Sequence, residues 1–279
     1  MLELTKARKT FFETFGYLHF SGLLIDRIER ITQEYDRIWS GETGHRFSDK
    51  MFDRRVLPGF IDRSEYLCSL LDDQRVEGIC GGLLGADFNY ISSEGNRYGG
   101  DSAWHTDDWS ASPAMSYPKI VIYLESLRRD TGALRVIPGS HRKGEPWADL
   151  LHSHDIRFGS TLETAFGVDD RDMPCAVLET DPGDVIVFDQ KIKHATFGGG
   201  KRRMFWMIFG ARCHDEEDFA KLRGNIHNYA EYGLERIFSQ RMISTAGPRR
   251  MVHLEQAWAN DGELARRSAA RTPAAGPGS

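Results

Sequence analysis

From Asp87 onward the chain is a succession of short apolar runs separated by glycine and proline turns. This punctuation limits the fold more than any other feature. Phe88-Asn89-Tyr90-Ile91-Ser92 is the first strand candidate, and Glu94-Gly95-Asn96-Arg97-Tyr98-Gly99-Gly100 is expected to be a flexible turn after it. Lys119-Ile120-Val121-Ile122-Tyr123-Leu124 is β-branched and predicts a buried strand. Ala133–Ile137 follows the turn Thr131-Gly132 and stops at Pro138-Gly139. After a polar excursion over 141–173, Ala176–Glu179 turns through Asp181-Pro182-Gly183-Asp184 into Val185–Phe188. The last clear strand runs from Arg203 to Phe209, after Gly198-Gly199-Gly200. Strands this short, with no helix between most of them, exclude a βαβ fold and point to a sandwich or barrel.

The first part of the chain has a different period. Residues 2–15 read as a helix ending at Gly16, and Tyr17–Phe20 as a short strand. Leu24, Ile28, Ile31, Tyr35 and Ile38 recur at spacings of three and four, the signature of an amphipathic helix. His45 to Pro58 has no clean period and is expected to be loop, with His45 at the surface; Ser64 to Leu84 is helical and closes at Gly85. The expected fold is mainly β: a double-stranded β-helix, or cupin-like jelly roll, with N-terminal helices packed on one sheet. One domain is expected over 1–260, with a helical part to about 86, a jelly-roll core over 87–212 and a helical cover over 213–260 that closes the barrel or forms a homodimer contact. Residues 261–279 are expected to be a flexible tail.

Formal net charge is −5, which gives no electrostatic footprint for nucleic acid. No apolar run is long enough to cross a membrane, and the start lacks the basic-then-apolar build of a signal peptide. The cysteines, Cys68, Cys80, Cys175 and Cys213, are scattered without a CxxC pair, which argues against a thiolate zinc site and for a reducing compartment; the cytoplasm is the expected location.

The chemistry sits in Trp104-His105-Thr106-Asp107-Asp108-Trp109 and, far downstream, His194. In extended chain a His-x-Asp pair places both side chains on one face, because the period is two. A second histidine from another strand completes three ligands on one face of an octahedron, the arrangement of non-haem iron(II) oxygenases. Taken alone, so short a pattern is more often a surface histidine beside a turn acid. Trp104 and Trp109 are pocket or core residues, Asp108 a hydrogen-bond acceptor or an exposed turn acid, and His141 structural. His152 and His154, with Asp155 adjacent, read as a polar loop rather than a second metal site.

Further motifs stand around this pair in a set order. Gly132-Ala133-Leu134-Arg135-Val136-Ile137-Pro138-Gly139-Ser140-His141 comes next, then Pro182-Gly183-Asp184-Val185-Ile186-Val187-Phe188, His194 and Arg202-Arg203. With the opening Phe11-Phe12-Glu13-Thr14-Phe15-Gly16-Tyr17, the chain over about 8–212 resembles the phytanoyl-CoA dioxygenase family, whose members use iron(II), 2-oxoglutarate and O2. The resemblance implies that His105, Asp107 and His194 ligate iron, and that Arg202 pairs with the distal carboxylate of 2-oxoglutarate, with Arg203 the alternative. It implies that Thr196 supports the same carboxylate, that Tyr123 stands beside the co-substrate, and, more loosely, that Asn89 and Tyr90 line the pocket. Family members that halogenate replace the carboxylate with a small residue, so Asp107 implies hydroxylation or a related oxidation of a C–H bond. Nothing in the sequence points to a CoA ester; a small polar or natural-product substrate is expected. Without the resemblance, two other readings stay open: a non-catalytic jelly-roll protein that binds metal or a small molecule, and a mononuclear iron oxygenase that does not use 2-oxoglutarate.

Overall fold

The protein is described from a computed structural model, which covers residues 3–48, 52–108, 116–154 and 161–271. Helix α1 (Lys6–Phe15) starts at Thr5, whose hydroxyl accepts from the Arg8 amide, and stops at Gly16, in the left-handed region at φ 83°. Strand β1 (Tyr17–Phe20) follows. Helix α2 (Ile28–Ser40) buries Ile31, Tyr35, Ile38 and Trp39. Leu24 precedes the helix but is buried with it. Strands β2 (His45–Ser48) and β3 (Phe52–Pro58) lead to the short helix α3 (Glu65–Cys68) and to α4 (Gln74–Leu84), which Asp73 caps.

The β core then runs as β4 (Asn89–Gly100), β5 (Ser102–His105), β6 (Pro118–Tyr123) and β7 (Leu134–Val136). Helices α5 (Pro146–Ser153) and α6 (Leu162–Phe166) occupy the polar excursion. Strands β8 (Ala176–Leu178), β9 (Val185–Asp189), β10 (His194–Thr196) and β11 (Arg202–Gly210) complete the core. Helices α7 (Glu216–Asn228), α8 (Gln240–Ser244), α9 (Pro248–Ala259) and α10 (Leu264–Ala270) end the described chain.

The strands form two antiparallel sheets, a seven-stranded one in the order β1-β9-β6-β11-β4-β3-β2 and a four-stranded one in the order β5-β10-β7-β8. This is the jelly roll with added helices. Tyr35 of α2 packs against Phe60, and Phe60 against Phe205 of β11, so the N-terminal helices cover the outer face of the large sheet. A separate apolar cluster of Trp104, Ile137, Leu151, Leu162, Ala195 and Phe197 involves the small sheet and the 146–166 helices. Among the described residues no helix is long and apolar enough to cross a membrane.

Three segments differ from expectation. His45–Pro58 is not a loop: its described residues form the edge hairpin, with Arg54 of β3 opposite Tyr98 of β4. Glu94–Gly100 is not a turn but the second half of β4, paired on both sides. β3 and the second half of β4 lack hydrophobic alternation because Arg54, Asn96 and Tyr98 face a cavity, and β2 lacks it because it is exposed throughout. Gly95 is required there by packing, since a Cβ would fall 2.1 Å from the Phe60 ring. The flexible tail is also corrected over 261–271. Asp261 is buried and accepts from Arg236 and the Ile237 amide, and α10 buries Leu264.

Candidate active site

His105 ends β5 and His194 begins β10, and the two are directly opposite each other in the antiparallel register. Asp107 lies two residues beyond His105, in a turn held by one acceptor. The Thr106 hydroxyl and the Asp107 and Asp108 amides all donate to the carbonyl of Gln190. Ligand atoms of His105, Asp107 and His194 lie within 4.8 Å of one another, the only such cluster among the described residues. His194 Nε2 is 3.9 Å from Asp107 Oδ1, and the two imidazole rings are 4.2 Å apart.

The histidine tautomers follow from the backbone. Nδ1 of His105 lies 2.8 Å from the Ala103 carbonyl and Nδ1 of His194 lies 2.9 Å from the Ile192 carbonyl. A carbonyl only accepts, so Nδ1 carries the proton and donates in each case, which makes Nε2 the ring atom that would bind a metal. Protonation agrees with this. Burial, then the neighbouring His105, pushes His194 down to about 3. Burial works against the charge on Asp107, but Lys119, followed by His194 and His105, holds its carboxyl well below the usual carboxylate range. Two imidazole nitrogens and one carboxylate are the donor set that iron(II) takes, and the residues present fit that ion.

Beside the triad is a cavity of about 110 Å³, lined among others by Tyr123, Thr196, Arg202, Lys119, Arg54 and Trp206. Arg202 is 3% exposed. Its guanidinium lies over the Tyr98 ring at 4.8 Å and donates to the carbonyls of Gly100 (2.8 Å) and Gly132 (3.4 Å). No carboxylate pairs with it among the described residues. Burial lowers its pKa, the expected response of a cation without a counter-ion. The Thr196 hydroxyl is buried without a hydrogen-bond partner. Arg203 points the other way, to Asp36 and Glu125. Two glycines make room for the buried guanidinium: a Cβ on Gly132 would lie 2.0 Å from Arg202 Nη1, and one on Gly199 1.9 Å.

Other residues singled out in the sequence lie elsewhere. Trp104 packs against Phe197 and donates to the Asp170 carbonyl. Asn89 bonds to Ala211 and Gln256, and Tyr90 packs between Phe209 and Phe238, away from the cavity. His141 contacts the Glu13 carbonyl, and His152 that of Ser140. Trp109 and Asp155 lie outside the described residues. Two participants escaped sequence reasoning. Gln190 acts through its backbone, which leaves no side-chain signal. Lys119 is hidden at the head of an apolar strand, where its Nζ lies 2.8 Å from Asp107 Oδ2.

A jelly roll that turns two histidines and a carboxylate inward, next to a cavity with an unneutralised arginine, defines the class of mononuclear iron oxygenases. The chain belongs to the phytanoyl-CoA dioxygenase (PhyH) family, whose model matches residues 12–205, and is accordingly an iron(II)- and 2-oxoglutarate-dependent dioxygenase. Its fold is shared by the α-ketoglutarate-dependent carbocyclase SnoK from nogalamycin biosynthesis (TM-score 0.60, 16% identity, covering 75% of this chain and 84% of that one). It is shared also by HygX from Streptomyces hygroscopicus, solved with nickel and 2-oxoglutarate (0.59, 19%, 76% and 89%). EctD from S. alaskensis is a third such structure (0.55, 20%, 74% and 77%). No curated protein matches the chain by sequence.

Proposed function

We propose that His105, Asp107 and His194 hold iron(II), that Arg202, Thr196 and Tyr123 hold 2-oxoglutarate, and that one oxygenase domain, extended through α10, oxidises a C–H bond of a small polar or natural-product molecule. The observation that carries this reading is Arg202. A guanidinium buried beside the triad, with only carbonyls for partners, calls for an anion, and a planar fork suits a carboxylate. Thr196 offers its unpartnered hydroxyl in the same cavity. Burial raises the Tyr123 phenol to about 12, so it stays protonated and can donate.

When bound, iron and co-substrate supply the oxidising chemistry: R–H, O2 and 2-oxoglutarate give R–OH, succinate and CO2. The chain's own part is to hold and to shield. The Nδ1–H bonds to Ala103 and Ile192 keep both ring lone pairs facing one point. Met204, Trp206, Phe188 and Val121 make the rest of the wall largely apolar and limit water. SnoK belongs to nogalamycin biosynthesis and HygX has been solved with hygromycin B bound, which supports a natural-product substrate here. The test is visible absorption of the anaerobic protein with iron(II) and 2-oxoglutarate. A weak charge-transfer band in the wild type that is missing in His194→Ala supports the assignment. A folded wild type without the band overturns it.

A further inference from the structure

Lys119 is out of place by every local rule. It stands on the inner face of β6, in a strand whose every residue is buried, and is itself 8% exposed. Its ammonium lies 4.3 Å from the centre of the Trp206 ring and 5.7 Å from that of Phe188. Its one ion pair among the described residues is with Asp107 Oδ2, at 2.8 Å. A buried ammonium costs desolvation energy, and beside a site for a divalent cation it adds repulsion. Packing alone does not explain it, because a methionine would fill the same volume over Trp206 without either penalty.

The pair has one clear geometric consequence. Asp107 has two oxygens; Lys119 takes Oδ2, and Oδ1 is left 3.9 Å from His194 Nε2. β6 is paired on both edges, to β9 and β11, so the backbone from which Lys119 reaches Asp107 is fixed in the sheet. We propose that Lys119 is a positioning residue that occupies one oxygen of Asp107, so that the acid gives the metal a single oxygen and the remaining positions stay free for 2-oxoglutarate and O2. This rests on the assignment of the triad as the metal site. Without Lys119 the carboxylate is free to offer both oxygens. The metal is then held at least as tightly, while a bidentate co-substrate has to compete for its place.

The test uses the full-length apoprotein with Co(II), whose visible d–d bands report its coordination, followed by 2-oxoglutarate. The variants are Lys119→Met, Lys119→Arg and Arg202→Ala. In Lys119→Met the Co(II) spectrum changes before any 2-oxoglutarate is added. Co(II) affinity is unchanged or tighter, and 2-oxoglutarate then binds about tenfold more weakly. Lys119→Arg restores the wild-type spectrum. Arg202→Ala weakens 2-oxoglutarate but leaves the binary spectrum unchanged, which separates Lys119 from a residue that only touches the co-substrate. A Lys119→Met binary spectrum that superimposes on wild type overturns the proposal, as does parallel loss of Co(II) and 2-oxoglutarate. If that variant does not fold, Lys119→Leu, which likewise has no donor for Oδ2, is read by the same criteria. Failure of the wild type to bind Co(II) overturns the metal centre itself, and the role of Lys119 with it.

Discussion

Arg202 and Arg203 are neighbours of equal charge in opposite surroundings, because successive residues of a strand face opposite sides. Arg203 spends its charge on Asp36 and Glu125 at the surface, where ion pairs contribute little. Arg202 has only the carbonyls of Gly100 and Gly132 as hydrogen-bond acceptors, which is what the proposed carboxylate clamp requires. Arg202→Ala is therefore expected to raise the KM for 2-oxoglutarate about 100-fold, the loss of two charge-assisted hydrogen bonds, and Arg203→Ala to change it less than about threefold. Succinate formation against 2-oxoglutarate concentration measures both. Gly132 extends the same argument. Its φ is +96°, and an added Cβ meets Arg202 Nη1 at 2.0 Å. Gly132→Ala should push the guanidinium aside and raise that KM about tenfold, the scale of one hydrogen bond of this kind, with Co(II) affinity unchanged. Equal KM values for variant and wild type would show that the clamp does not depend on this close approach.

At the scale of elements, the C-terminal helices are clamped to the barrel by a buried acid. Asp62, just after β3, accepts from the Ser239 amide at 2.8 Å, and its carbonyl accepts from Arg241 at 3.2 Å. Its other oxygen, Oδ1, is buried without a partner. Burial pushes this carboxyl up to about 7 against the hydrogen bonds from Ser239. An unfolded aspartate titrates near 3.9, so between about 4 and about 7 the folded state binds the extra proton. The stability linked to this group is fully present below about 4 and is lost as pH rises through about 7. Asp62→Asn cannot ionise, so its Tm relative to wild type should rise by several degrees from pH 5 to pH 8. A constant offset across that range would remove Asp62 as the source. The same scale shows what the sequence could and could not reveal. β6, β7, β9 and β11 were legible because their apolar runs are bounded by glycine and proline turns, and α2 because of its three-and-four spacing. The β2–β3 hairpin and the second half of β4 were not. Their inward positions carry Arg54, Glu94, Asn96 and Tyr98, in polar contact with one another or with the cavity, so the period-two hydrophobic signal is missing where the strands serve the site. The clustering of His105, Asp107 and His194 was legible for the opposite reason: a His-x-Asp pair in extended chain is a local pattern, and only His194 had to be brought in from another strand. Lys119 shows the limit, because nothing local to a lysine at the head of an apolar strand reveals a partner that comes from another segment.

For the whole molecule, the site joins the two sheets. His105, Asp107 and His194 come from or beside the small sheet, while Arg202, Tyr123 and Lys119 come from the large one. On the proposed assignment, metal and co-substrate bound in the cavity between them would contact both layers of the jelly roll, and the unfolded chain has no such arrangement to offer. Ligands that bind only the folded state stabilise it by mass action, by about 2.7 kcal/mol at a concentration one hundred times Kd. For a chain of this length each kcal/mol shifts Tm by about 2–4 °C. Saturating Co(II) with 2-oxoglutarate should thus raise Tm by about 5–10 °C over the apoprotein, and a chelator should return it to the starting value. The order of addition carries the argument further. If Arg202 on the large sheet binds only a co-substrate already anchored to metal on the small one, 2-oxoglutarate without metal should give almost no shift, and Co(II) alone only part of the full one. His194→Ala should abolish the response to both ligands, whereas Arg202→Ala should keep the Co(II) shift and lose the increment from 2-oxoglutarate. A full 2-oxoglutarate shift in the metal-free wild type would mean that the co-substrate is held by the large sheet alone, and that the two sheets do not share one ligand in this way.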